Sequence, residues 1–177
     1  MAAAARTSFT DRMIRAARLD AAVYEEVESD RTATTEAAMV VVLGAIAAGI
    51  GSNMRLGLVA LVVVALLSLA SWSFYAWLAY FFGGTVLKGP QTQTNWGEIA
   101  RTLGFANAPR LLLILGLIPG FRVLLALAIP IWILVATVVA LRAALDCGTA
   151  RAIVVAVIAS ISQYLLTAVL LYLQTSA

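Results

Sequence analysis

Four stretches of this chain, residues 37–54, 56–87, 123–141 and 152–177, contain no Asp, Glu, Lys or Arg at all. A helix needs roughly 20 apolar residues to cross the hydrocarbon core of a bilayer, and these runs are of that order or longer. With 63% of its 177 residues hydrophobic and only 12% charged, a soluble domain could not hide so much apolar surface in one core. The chain reads as an all-α, polytopic integral membrane protein. The first charge-free run begins only after ten charged residues between Arg6 and Glu36, which argues against a cleaved secretory signal with its short basic start.

The number of crossings turns on Leu111 to Leu141, which is too long for one span and is broken by Pro119, Gly120 and Arg122. Proline and glycine in succession stop a helix, and a following cation favours an interface. The expectation is therefore five transmembrane segments, at about 36–54, 56–82, 104–120, 123–142 and 152–173, behind a cytoplasmic amphipathic and acidic region over residues 1–35. A re-entrant hairpin over about 105–125 stays open as the alternative. Five crossings with the N-terminus inside put ten of the twelve Lys and Arg residues on the cytoplasmic side, with Arg55 and Arg122 opposite, as positive-inside topology requires. The C-terminus then lies on the far side, in a cell membrane.

Two polar stretches stand out. In the first, Phe9, Met13, Ile14 and Ala17 recur at helical spacing between Arg12, Arg15 and Arg18. This predicts a short amphipathic helix, capped by Thr10, with arginines toward anionic lipid. The sign then reverses in LDAAVYEEVESD, where Asp20, Glu25, Glu26, Glu28 and Asp30 crowd around Val23, Tyr24 and Val27. The second stretch is NWGEIARTLGFANAP. Asn95 and Glu98 have capping-box spacing, so an interfacial helix is expected before the third span. After it, Arg101 suits the headgroups, Gly104 and Ala106 permit close approach, Phe105 fits the apolar edge, and Asn107 to Pro109 turn the chain.

The chain contains no histidine, no glycine-rich phosphate loop, no metal-ligand spacing and no serine with a visible base, so neither an enzyme nor a cofactor is expected. The arginines are scattered singly among membrane segments, which sets topology and argues against nucleic acid as a partner. The lone Cys147 cannot form an internal disulfide and reads as a small apolar filler.

These residues resemble the bacterial and archaeal members of the Yip1 domain family of multi-span membrane proteins. Leu19, Asp20, Tyr24, Glu26, Val27, Glu28, Asp30, Ala33 and Thr34 look like that family's run before the first span. Arg101, Gly104, Phe105, Ala106 and Pro109 look like its motif before the third. The resemblance implies a five-helix domain with a cytoplasmic N-terminus and supplies no catalytic residue. Eukaryotic relatives are associated with vesicle traffic and Rab-class GTPases, although many of them carry a longer polar N-terminal region. The functional expectation is a non-enzymatic scaffold or adaptor. Its partners are the bilayer, an unidentified cytoplasmic or membrane protein, and a second copy in a homo-oligomer. The alternative is a transporter, channel or lipid-handling protein built on the broken third and fourth segments.

Overall fold

The computed structural model describes residues 7–52 and 57–176. Two short helices, α1 (Phe9–Ala17) and α2 (Ala21–Ser29), precede α3 (Ala33–Gly51) and α4 (Leu58–Ala79). Helix α5 (Trp96–Phe105) follows, then a 3-10 helix (Ala108–Leu117), α6 (Phe121–Ala144) and α7 (Thr149–Ser176). Arg6 and Arg55, both used in the charge count, lie outside the described residues.

Among the described residues, four helices are long and apolar enough to cross a membrane, not five: α3, α4 with its continuation to Val86, α6 and α7. The segment expected to cross at 104–120 divides differently. Its first two residues end α5, and residues 108–117 form a 3-10 helix of 10 residues, about 20 Å at the usual rise and short of a hydrocarbon core of roughly 30 Å. Pro109 lacks an amide proton at its start, and Gly120 at φ 88° turns the chain at its end, so no α-helix extends through either boundary.

This tight segment lies along α3. Gly104 sits beside Ala37, Arg110 beside Gly44 and Leu113 beside Gly51, so the two run in the same direction. Contact is backbone to backbone: a β-carbon on Gly51 would stand 1.7 Å from the Leu113 carbonyl oxygen, and one on Gly116 would stand 2.6 Å from that of Gly51. The small residues of α3, including buried Gly44, Ala45 and Gly49, are therefore spent on packing within the chain.

The glycines after the aromatic run do not end α4. They carry it on as a π-helix, Tyr80–Val86, and the missing side chain of Gly83 admits Leu145, whose Cδ1 would lie 2.7 Å from a β-carbon there. The aromatic residues tie α4 to its neighbours: Trp72 Nε1 donates to the Ala100 carbonyl at 3.0 Å, and the Tyr75 hydroxyl donates to that of Ala156 at 3.3 Å. Farther along, Gln163 Nε2 donates to Ser71 Oγ at 2.7 Å, which makes α7 antiparallel to α4. Pro130 stands inside α6 without ending it.

Candidate functional site

Helix α1 starts at Ser8, whose hydroxyl accepts from the Asp11 amide at 3.2 Å; the cap is Ser8 and not Thr10. The spacing that makes α1 amphipathic also aims Arg12 inward, where it is 6% exposed. Its Nε reaches Glu26 at 2.8 Å, Nη2 reaches Asp30 at 2.9 Å and Nη1 reaches Glu36 at 3.0 Å. One planar guanidinium thus joins α2, the turn after it and the first turn of α3, using its donors in their fixed fork. Arg15 adds Asp20 at 2.8 Å and the other oxygen of Glu26 at 3.0 Å. Of the three arginines expected to face lipid, Arg12 and Arg15 are engaged with carboxylates instead, because a buried cation needs opposite charge in contact with it.

Most residues of the first motif have a place in this lock. Leu19 carries the left-handed turn between α1 and α2 at φ 63°, an uncommon conformation for a branched side chain. Asp20 caps α2 through the Ala22 amide at 3.0 Å. The Tyr24 hydroxyl donates to the Ala16 carbonyl at 3.0 Å, and Val23, Tyr24 and Val27 are fully buried. Burial raises the Tyr24 phenol above its ordinary value. The Asp30 carboxyl accepts from the Thr32 hydroxyl at 2.6 Å and its amide at 2.9 Å. Those bonds, together with Arg12, hold it at about 2.

The second motif closes on the first. Asn95 caps α5 by accepting from the Glu98 amide at 3.2 Å, and Glu98 returns a bond to the Asn95 amide at 3.0 Å. The next turn presents Arg101, 6% exposed, whose Nε donates to the carbonyls of Val27 at 3.0 Å and Glu28 at 3.1 Å while Nη2 also donates to Glu28. A guanidinium there satisfies the open carbonyls of α2 and lies at the negative end of its dipole. Gly104 brings α5 onto Ala37 of α3, Phe105 is wholly buried and meets Phe9 edge-on at 6.5 Å, and Pro109 starts the 3-10 helix. The structure therefore brings the two motifs into one packed unit of α1, α2, α5 and the starts of α3 and the 3-10 helix.

Outside the lock stands Glu28, its carboxyl raised to about 7 by burial and by the nearby charges of Glu25, Asp146 and Glu98. Those four carboxylates, drawn from α2, α5 and the end of α6, make one acidic patch. Sequence reasoning missed three ties. Trp132 Nε1 donates to the Ala17 carbonyl at 2.8 Å, fastening α1 to α6, and buried Thr92 donates to the Leu145 carbonyl at 2.8 Å. Arg12 itself was visible only as one cation among several, because its partners lie 14 to 24 residues away. No group of three or more metal-ligating side chains is gathered among the described residues.

Residues 21–171 match the Yip1 domain, a span that contains every motif residue but Leu19 and Asp20 and all four membrane-length helices up to the last turns of α7. The chain belongs to the Yip1 domain family. Neither the curated proteins nor the solved structures contain a match to it. As a Yip1 domain protein it is a multi-span membrane protein, and the motif before its first span and the motif before its 3-10 helix are two halves of a single polar lock.

Proposed function

We propose that this Yip1 domain protein is a membrane scaffold or adaptor whose cytoplasmic face presents the acidic patch of Glu25, Glu28, Glu98 and Asp146 to a basic partner. The observation that carries this reading is that the remaining acids of the N-terminal region are consumed by Arg12 and Arg15, while among the described residues no arginine stands at ion-pair distance from the carboxylates of the patch. A rigid platform with unneutralised charge steers and orients an oppositely charged protein. Division into a cytoplasmic part over residues 1–35 and a membrane domain from residue 36 belongs to the same reading.

The proposed orientation has the N-terminus in the cytoplasm and the C-terminus on the opposite side. It is supported by the concentration of Lys and Arg around α1, α2 and α5 and by the course of the chain: the 3-10 segment runs beside α3 from Ala37 to Gly51, so α6 returns to the platform and α7 leads away from it, which leaves the termini on opposite sides although only four helices are of membrane length. The test is recovery of partners from native membranes with the wild type and with Glu25→Lys, an exposed position on α2. Glu26 is unsuitable because it holds both arginines. Loss of the same partner on charge reversal, with thermal stability unchanged, is the expected result; partners that bind both proteins equally, or no reproducible partner, refute the proposal.

A further inference from the structure

The charge count places Arg110 with the cytoplasmic cations, yet its side chain lies against Gly44, in the middle of α3. At 1.5 Å per residue this is roughly 16 Å along the helix from Ala33. The ion pairs among the described residues belong to Arg12 and Arg15. Arg110 has none, and no described group accepts a hydrogen bond from its guanidinium. A cation at this depth without a counter-charge marks a functional position, since water is not there to solvate it.

Arg110 lines a cavity of about 480 Å³ enclosed by α3, α4, α5, the 3-10 segment, α6 and α7, a size typical of small-molecule sites. Its wall is mixed. Ser68 of α4 and Thr137 of α6 line it with hydroxyls that have no hydrogen-bond partner among the described residues, whereas Leu67 and Leu134, on the same two helices, are 64% and 53% exposed toward the bilayer. The cavity therefore has a cationic and hydroxylic interior and an apolar rim that opens sideways into lipid.

We propose that this cavity binds the phosphate headgroup of an anionic phospholipid, which enters from the bilayer between α4 and α6. The guanidinium fork matches two phosphate oxygens, the hydroxyls supply further donors, and the acyl chains pass over Leu67 and Leu134 into the membrane. A free inorganic anion would satisfy Arg110 but leave the leucine rim without a role. This site is separate from the acidic platform and does not depend on the adaptor reading.

The experiment is native mass spectrometry of the whole chain, released from micelles holding equal phosphatidylglycerol and phosphatidylcholine. The wild type should retain one phosphatidylglycerol, favoured over phosphatidylcholine by about tenfold, because the two lipids share the phosphate but the choline cation of the second is repelled by Arg110. Arg110→Gln should abolish that preference. Ser68→Phe fills the cavity from α4 while keeping the arginine and should lower total retained lipid, which keeps the test decisive if the Arg110 variant fails to fold. Equal retention of the two lipids by the wild type overturns the proposal, as does unchanged retention in Ser68→Phe. Displacement by excess inorganic phosphate, or a dimer that carries no lipid, would reassign the occupant and overturn it as well.

Discussion

Replacing Gly104 by alanine tests how closely the second motif must approach the first membrane helix. A β-carbon at Gly104 would lie 2.6 Å from the Ala37 β-carbon, 3.0 Å from its α-carbon and 3.1 Å from its carbonyl carbon. Carbon atoms prefer about 3.5–4.0 Å, so α5 must withdraw from α3 by roughly an ångström. Neither side yields easily. Arg101 and Phe105 hold α5 on either side of the glycine, and Glu36 holds the first turn of α3 through Arg12. Overpacking of this kind costs about 1–3 kcal/mol. Against it stands the gain of up to about 1 kcal/mol that alanine brings over glycine in a helix. The net expectation for Gly104→Ala is a loss of about 1–2 kcal/mol, or a fall of roughly 2–8 °C in Tm for a chain of this length. Gly104→Val adds two methyl groups without that propensity gain and should lose about 3 kcal/mol or damage insertion. Thermal unfolding in lipid nanodiscs followed by tryptophan fluorescence measures both. Ala37→Gly in the Gly104→Ala background removes the nearest clash, so the pair should show a favourable coupling of about 1 kcal/mol in a double-mutant cycle. If Gly104→Ala equals or exceeds the wild type in stability, as glycine replacement in an open helix would, the close approach of α5 and α3 is refuted.

Three further outcomes follow from named contacts. Arg12→Met leaves Glu26, Asp30 and Glu36 facing one another and should cost about 2–4 kcal/mol, less than a fully buried pair because the acids are partly exposed, whereas Arg12→Lys should cost roughly half of that; chemical denaturation distinguishes the two. Glu28 holds its proton more tightly in the folded chain, at about 7 against an ordinary 4.5, so its contribution to stability is fully present below pH 4.5 and is lost as pH rises through 7. Glu28→Gln should therefore be more stable than the wild type by about 1 kcal/mol above pH 7, after allowance for solvent screening, and lose that advantage near pH 5; a Tm difference that does not change with pH contradicts this. Trp132→Phe keeps most of the ring but drops the bond to Ala17, and should cost about 1 kcal/mol and speed hydrogen exchange in α1 more than in α7.

What could be read from the sequence was local or one-dimensional. Freedom from charge marks α3, α4, α6 and α7, because burial in lipid acts on every residue of a run, and Asn95 with Glu98 marks the start of α5 because both ends of the cap lie within one turn. Hydropathy does not report helical pitch. Leu111 to Leu117 is as apolar as a span, yet Pro109 and the bare backbones of Gly51 and Gly116 draw it into a 3-10 helix against α3, and the described residues hold four membrane-length helices in place of five. The second span, expected to end at about residue 82, similarly continues to Val86, and there Gly83 serves the approach of Leu145. The candidate motif residues were legible as a set. Their geometry was not, because Arg12 reaches across three elements and Arg101 grips α2 from 73 and 74 residues away, distances at which no sequence pattern is visible.

The two motifs form one lock, and Arg101 is the bond between them. Hydrogen exchange of the wild type and Arg101→Met in nanodiscs tests it most directly. Loss of the guanidinium strips three hydrogen bonds from the Val27 and Glu28 carbonyls, at about 1.5–3 kcal/mol for a charged donor. Exchange throughout α2 should then rise by about tenfold or more, with α4 and α7 unchanged. Protection of α2 that is the same in both proteins would contradict the lock.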